Sequence, residues 1–178
     1  LVSKPDYDPG LVRSEWGRLS SSEDSILLNR AMQGLYPPGS TFKTVTLLEY
    51  LREHQFDSEN YSFTCEGKVP MGNSSISCYH GTRHGVLDLP GAYARSCNGA
   101  FASMGQELHV DAFRKLAEQL LFDSDLPLAL PYSKSSFRLK DSDSEALRMM
   151  TAIGQGDTLV TPMHMAMLMA AVANDGML

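Results

Sequence analysis

No long segment of this chain alternates between apolar and polar residues as a strand does, whereas several segments carry the signals of α-helices. The clearest helical pattern covers residues 111–122, where five apolar side chains follow the i, i+3, i+4, i+7, i+8 spacing: Phe113, Leu116, Ala117, Leu120 and Leu121. A second helix is predicted over residues 40–54. A third is predicted after Thr161-Pro162, with threonine as cap and proline at the first position. These patterns predict a mainly α fold in a single domain over residues 1–178.

Glycine and proline divide the remaining segments into loops and short elements. Residues 1–20 are predicted to form a loop, residues 21–33 a short helix and residues 123–145 a surface loop. Five glycines divide residues 56–91, which contain two short β-prone runs. That segment is predicted to form loops with one small hairpin.

The charge of the chain argues against two classes of partner. The chain has 15 Lys and Arg against 21 Asp and Glu, a net charge of -6, whereas a domain that binds nucleic acid through phosphates usually has a basic excess. No cluster of Lys and Arg would attract an anionic membrane surface.

No apolar run reaches the roughly 18 residues that span a bilayer. Because the chain does not begin with Met, we expect it to be a piece of a longer protein.

The strongest chemical pattern is Ser40-Thr41-Phe42-Lys43, which follows the rigid turn Pro37-Pro38-Gly39. A serine in the first turn of a helix and a lysine three residues later lie on one face, so the amine can approach the hydroxyl. Desolvation would lower the pKa of Lys43, and its neutral amine could take the proton of Ser40. The pattern also fits a capping serine followed by a solvated lysine, but the helix that carries Lys43 is otherwise apolar.

A second polar pattern is Ser96-Cys97-Asn98. A serine and an asparagine two residues apart in a turn can both point into one cleft. There the hydroxyl can relay a proton and the amide can hold a substrate carbonyl. The same residues also fit a turn in which both side chains bond to the local backbone.

Ser-x-x-Lys followed by Ser-x-Asn is the signature pair of the active-site serine enzymes that recognise penicillin. The surrounding residues resemble those of class B penicillin-binding proteins, the monofunctional peptidoglycan D,D-transpeptidases. The resembling segments are Leu35-Tyr36-Pro37-Pro38-Gly39, Ala94-Arg95, Ile153-Gly154-Gln155-Gly156 and Ala173-Asn174-Asp175-Gly176. The resemblance implies the helical part of the α+β fold of penicillin-binding proteins and serine β-lactamases, with most of the central antiparallel sheet outside this chain.

By this resemblance, Ser40 is the acylated nucleophile and Lys43 its general base. Ser96 passes a proton to the leaving group, and Asn98 binds the amide of the acyl donor. The implied reaction is peptidoglycan cross-linking: Ser40 attacks a stem peptide that ends in D-Ala-D-Ala, D-Ala leaves, and an amine of a neighbouring stem peptide takes the acyl group. β-Lactams would acylate the same serine, and neither a cofactor nor a metal ion is implied. The parent protein is expected to be membrane-anchored at the extracytoplasmic face of the bacterial cell membrane. There it would work with cell-wall synthesis partners and contribute to cell shape, and its role in elongation, division or sporulation stays open.

Two other functions share the first two motifs. A class A serine β-lactamase also needs a glutamate that activates the deacylating water, in a Glu-x-x-x-Asn segment. None of the asparagines has a glutamate four residues before it. A β-lactam sensor domain is acylated without turnover, and Ser40 and Lys43 alone do not distinguish it from a transpeptidase. The segments that precede Ser40 and follow Ile153 favour the transpeptidase.

Any disulfide among the three cysteines leaves one thiol unpaired. Cys65 and Cys78, with His80 and His84, offer four zinc ligands, but they lack the short Cys-x-x-Cys spacing of a zinc knuckle. In the extracytoplasmic setting that the resemblance implies, a Cys65–Cys78 disulfide is expected, with Cys97 free beside the active site.

The third motif of the family, Lys-Thr/Ser-Gly, occurs nowhere in the 178 residues. In the family this motif lies on the strand that supplies one of the two oxyanion N–H groups, and loss of one such donor typically slows catalysis by on the order of 10²–10³-fold. We therefore expect this chain alone to react slowly or not at all with a fluorescent penicillin, followed as labelling of Ser40 over time. Labelling as fast as that of a domain with all three motifs would contradict this expectation.

Overall fold

A computed structural model describes residues 2–177, and the mainly α fold predicted from the sequence is confirmed. The α-helices of this part are α1 (Val12–Ser20), α2 (Arg30–Gln33), α3 (Lys43–Glu53), α4 (Leu89–Ala94), α5 (Asn98–Glu107), α6 (Val110–Gln119), α7 (Glu145–Ala152) and α8 (Pro162–Ala173). Its strands are β1 (Phe63–Cys65), β2 (Lys68–Met71), β3 (Ser74–Ser77) and β4 (Gly85–Leu87). No helix among the described residues has the length and apolar character needed to cross a bilayer.

The described residues form two compact units. The first comprises residues 2–36, 123–136 and 159–177, and the second comprises residues 37–122 and 137–158. Both sequence motifs lie in the second unit. The organisation of the chain as a single domain stays a prediction.

In the first unit, α2 packs against α8. Two isolated antiparallel bridges join its segments: Tyr36–Val160 and Ser136–Leu159. Helix α8 begins as the sequence predicts, because Thr161 accepts a hydrogen bond from the backbone N–H of His164 (3.2 Å) and Pro162 takes the first position.

The beginning of the first unit differs from the prediction. Helix α1 replaces the second half of the predicted loop. The carboxylate of Asp8 accepts the N–H of Gly10 and caps the 3-10 turn Pro9–Leu11, which leads into α1. The helix predicted over residues 21–33 is reduced to α2, because Ser25 has a φ of 49° and Asn29 supplies the cap.

The second unit is built around α3. Phe42 precedes α3 and is fully buried, and its ring lies about 6 Å from three others: Phe113 (6.0 Å), Phe122 (5.9 Å) and Phe137 (6.1 Å). The hydroxyl of Thr46 donates to the carbonyl of Ala152 at 2.8 Å, which links α3 to the end of α7. Helices α5 and α6 also pack on α3, so α3 is buried on several sides.

The short strands form two separate antiparallel pairs. β1 pairs with β4, and β2 pairs with β3. The sequence predicts one small hairpin in this segment. The structure contains the hairpin β2–β3 and a second pair of more distant strands, which sequence runs of three or four residues do not specify.

A close backbone contact fixes the chain immediately before Ser40. Gly39 donates its N–H to the carbonyl of Gly154 at 2.8 Å. Gly154 has a φ of +74, and a Cβ atom there would lie 2.0 Å from the carbonyl oxygen of Gly39. Only glycine permits both this conformation and this approach.

We expect Gly154→Ala to lower the free energy of unfolding more than Gly72→Ala does, as measured by urea denaturation. Both glycines have a positive φ, so both variants share the cost of a left-handed alanine, about 1–2 kcal/mol. Only Gly154→Ala also forces the backbone of Gly39 to move, because a Cβ on Gly72 meets nothing within 4 Å. Equal losses in the two variants would contradict the proposed role of the Gly39–Gly154 contact.

Candidate active site

The structure brings three of the four predicted site residues into direct contact. Lys43 is the first residue of α3 and Asn98 is the first residue of α5, while Ser96 lies in the turn between α4 and α5. The Nζ atom of Lys43 donates to the side-chain oxygen of Asn98 (2.6 Å), to the hydroxyl of Ser96 (3.0 Å) and to the carbonyl of Ser96 (2.7 Å). An ammonium group has three N–H donors, and all three are used here.

Burial changes the acidity of Lys43. The residue is only 1% exposed, and its Nζ lies 5.6 Å from the centre of the Phe101 ring. Burial lowers the pKa of Lys43 from 10.5 to about 8, although the nearby Cys97 and Cys78 act to raise it. With this pKa, about one amine in ten is neutral at pH 7, and the neutral share rises with pH.

The turn that carries Ser96 has an unusual backbone conformation. Ser96 has a φ of 48°, in the left-handed region that side chains other than glycine rarely adopt. The N–H of Ser96 donates to Tyr93, and the N–H of Cys97 donates to Ala92, so the turn closes the end of α4. This geometry directs both oxygens of Ser96 towards the amine of Lys43.

Hydrogen bonds at both the oxygen and the nitrogen of its amide orient the side chain of Asn98. Its oxygen accepts from Lys43, and its nitrogen donates to the carbonyl of Ser77 at 2.8 Å. These partners leave one N–H of the amide available to a ligand.

Ser40 lies in the 3-10 turn Gly39–Phe42, and its side chain is exposed. Among residues 2–177 its hydroxyl has no hydrogen-bond partner. The sequence predicts that Lys43 reaches Ser40, whereas in the structure the three donors of Lys43 face Ser96 and Asn98. Ser40, Ser96 and Asn98 nevertheless line the same cleft, which has a volume of about 510 Å³.

Sequence reasoning assigned no role to several residues that line this cleft. They include Tyr79, Arg95 and Gln155. Arg95 directly precedes the second motif, and Gln155 lies between the two glycines of the 153–156 loop. The position of Arg95 and Gln155 beside these motifs is the sequence signal that could have identified them.

The expected Cys65–Cys78 disulfide is not formed. All three cysteines are free and buried, with 3.7 Å between the Sγ atoms of Cys65 and Cys78. Cys97 is free, as expected, and its Sγ atom lies 3.8 Å from that of Cys78. His84 approaches this group through Nδ1, 3.3 Å from the Sγ atom of Cys65. His80, the other candidate zinc ligand in the sequence, is not part of the group.

The acidities of the thiols differ. Burial acts to raise the pKa of Cys65, but hydrogen bonds from the backbone of His84 and Gly67 lower it more, to about 7. Burial raises the pKa of the Cys97 thiol. Four groups that could hold a metal ion lie beside the second motif. Of Cys65 and Cys97, Cys65 is the thiol more disposed to ionise.

Comparison with known proteins decides the family. Residues 1–178 match the family described as the penicillin binding protein transpeptidase domain. The chain belongs to the penicillin-binding protein transpeptidase family. Among curated members, peptidoglycan D,D-transpeptidase PbpA of Mycobacterium tuberculosis is 33% identical over 187 residues, which cover 99% of this chain and 38% of PbpA. Peptidoglycan D,D-transpeptidase MrdA of Acinetobacter baumannii is 27% identical, with 99% of this chain and 28% of MrdA covered.

Solved structures of penicillin-binding proteins share the fold. The ceftriaxone acyl-enzyme complex of penicillin-binding protein A from M. tuberculosis has a TM-score of 0.87 at 33% identity, with 99% of this chain and 42% of that chain covered. The D,D-transpeptidase domain of a peptidoglycan glycosyltransferase from Eggerthella lenta has a TM-score of 0.87 at 28% identity, with 98% and 46% covered. The chain thus spans less than half of each of these proteins. Over that share, the predicted fold class is confirmed.

We expect Lys43→Met to leave the free energy of unfolding unchanged or to raise it by up to about 2 kcal/mol, as measured by urea denaturation. The substitution removes an ammonium group whose burial is costly, and water from the cleft can replace the amine at the exposed Ser96. The control is Lys115→Met on the exposed face of α6, which should change stability by less than about 0.5 kcal/mol. A large destabilisation by Lys43→Met alone would show that the amine is retained for folding rather than for chemistry.

Proposed function

We propose that this chain forms part of a serine-type peptidoglycan D,D-transpeptidase and that Ser40 is its nucleophile. The observation that carries the proposal is the buried amine of Lys43, held by Ser96 and Asn98 beside a cleft to which Ser40 is exposed. A serine hydroxyl is a weak nucleophile until a base takes its proton. An amine with a pKa of about 8 is suited to that role near neutral pH.

The contacts of Lys43 indicate which hydrogen bonds its Nζ atom would donate and which one it would accept in the neutral state. A neutral amine has two N–H donors and one lone pair. With the donors on the carbonyl of Ser96 and the oxygen of Asn98, the lone pair faces the hydroxyl of Ser96. The hydroxyl of Ser96 then donates to Nζ, so that Lys43 and Ser96 form one proton path that borders the same cleft as Ser40.

In the proposed acylation, the Ser96 hydroxyl turns away from Nζ, and the freed lone pair of Lys43 takes the proton of Ser40 while the Ser40 oxygen attacks the carbonyl of the penultimate D-Ala of a stem peptide. Ser96 passes a proton to the departing nitrogen, and D-Ala leaves as a neutral amine. The remaining N–H of the Asn98 amide donates to a carbonyl of the acyl donor. The amine of a second stem peptide then attacks the ester and completes the cross-link.

The relatives support acylation by β-lactams at the same serine. Structures of penicillin-binding protein A from M. tuberculosis are described as acyl-enzyme complexes with ceftriaxone, imipenem and penicillin G. When a β-lactam ring opens, the leaving nitrogen stays attached to the acyl group and so remains in the site. The product would therefore be a stable ester on Ser40.

The whole protein is proposed to act at the extracytoplasmic face of the bacterial cell membrane, because its substrate belongs to the cell wall. Curated relatives named peptidoglycan D,D-transpeptidases support this placement. A membrane anchor and cell-wall synthesis partners are part of the same proposal.

Acylation of Ser40 is tested on the longest natural protein that contains this chain. After reaction with penicillin G, intact mass and peptide mapping should place one label on Ser40. Ser40→Ala should remove the label, while Ser142→Ala, at an exposed serine outside the cleft, should label as the unchanged protein does. A label on another serine, or undiminished labelling of Ser40→Ala, would overturn the assignment.

A second assay separates the transpeptidase from its two alternatives. A peptide ending in D-Ala-D-Ala should release D-Ala in the presence of an acceptor amine. A labelled protein that releases no D-Ala would instead be a β-lactam sensor. Rapid loss of the label with accumulation of hydrolysed penicillin would indicate a β-lactamase.

A further inference from the structure

Three thiols and one imidazole converge next to the second motif. Cys65 ends β1, Cys78 follows β3, His84 precedes β4, and Cys97 caps the N-terminus of α5. One ligand atom from each of these four side chains lies within 4.8 Å of all the others. We propose that the four side chains bind one Zn²⁺ ion.

The distances agree with the edges of a zinc tetrahedron. Zn–S bonds of about 2.3 Å and Zn–N bonds of about 2.0–2.1 Å place two sulfur ligands about 3.8 Å apart, and a sulfur and a nitrogen about 3.5 Å apart. The Sγ atom of Cys78 lies 3.7 Å from that of Cys65 and 3.8 Å from that of Cys97. The Nδ1 atom of His84 lies 3.3 Å from the Sγ atom of Cys65. The ligand atoms therefore need only small shifts to surround an ion.

The donor set and its surroundings favour zinc over a disulfide. Three thiolates and one neutral imidazole form the closed Cys₃His set of structural zinc sites. A disulfide would use two of the three cysteines and give His84 no role. The N–H of Ala100 points to the Sγ atom of Cys97 at 3.5 Å, a contact that stabilises a metal-bound thiolate.

Binding the ion changes protonation but not oxidation state. Each thiol that is protonated beforehand releases its proton to solvent when its sulfur binds Zn²⁺, and the imidazole binds as the neutral ring. The complete site has a net charge of −1. Because all four positions of the tetrahedron are filled by protein, the ion has no open position for substrate or water, so its role is structural.

Cys97 links the proposed zinc site to the residues that border the cleft. Cys97 stands between Ser96 and Asn98, the two residues that hold the amine of Lys43. A bound ion would join this segment to the ends of β1 and β3 and to the start of β4. Asn98 is already linked to the same region through the carbonyl of Ser77. Zinc would thus restrain the turn that positions both oxygens of Ser96.

The sequence indicates this site only weakly, because its ligands are separated by 13, 6 and 13 positions and include no Cys-x-x-Cys pair. Cys97 was not counted among the candidates, because nothing in its local sequence brings it near Cys65. The folding of α5 onto the strands supplies that proximity.

The test uses the longest natural protein that contains this chain, purified without chelators. Elemental analysis should give one zinc per chain. Exchange for Co²⁺ should give the intense visible bands of a tetrahedral site, with thiolate charge transfer in the near ultraviolet. Removing the metal should lower the Tm, and adding Zn²⁺ back should restore it.

His84→Ala and His80→Ala form a matched pair of variants. His84 is half-buried and contributes a proposed ligand, whereas His80 is exposed, lies four residues earlier and contributes none. His84→Ala should lower the affinity for Zn²⁺ at least tenfold, and His80→Ala should leave it unchanged. The proposal would be overturned by a metal-free protein with either three free thiols or a disulfide, and equally by two histidine variants with the same affinity.

Discussion

The amine of Lys43 is nearly inaccessible to water, and the arrangement of the site depends on which groups accept the hydrogen bonds of that amine. A buried ammonium group is costly unless each of its donors has an acceptor. Here the acceptors are two oxygens of Ser96 and one of Asn98, at 2.6 to 3.0 Å. The same burial that makes these contacts necessary lowers the pKa of the amine towards the range in which it acts as a base.

Contacts within the second unit of the fold position Lys43, Ser96 and Ser40. The aromatic cluster around Phe42 fixes the start of α3, and the contact between Gly39 and Gly154 fixes the backbone just before Ser40. The left-handed conformation of Ser96 turns its oxygens towards the amine. The proposed nucleophile, Ser40, therefore stays exposed while its proposed base lies in the protein interior.

The sequence predicted the features that are encoded locally. Helix α8 and its Thr161 cap follow from adjacent residues. Two short motifs pointed to four residues that line or border one cleft, and the roles of those residues stay a prediction. The contacts of Lys43 with Ser96 could not be predicted, because they depend on a single positive φ between α4 and α5. The grouping of Cys97 with His84 also escaped prediction, because it depends on how α5 packs against short strands. Helix α1 was missed because the prolines and glycines of its neighbourhood favoured a loop.

The most direct test of the account is the pKa of Lys43 itself. In protein labelled with ¹³C and ¹⁵N in its lysines, the Lys43 side-chain signal can be assigned by its loss in Lys43→Met and followed by NMR as the pH is raised. The account predicts a midpoint near 8, below the ordinary value of 10.5. A midpoint at or above 10.5 would show that the buried amine stays protonated at neutral pH, and it would contradict the role of Lys43 as the base that activates Ser40.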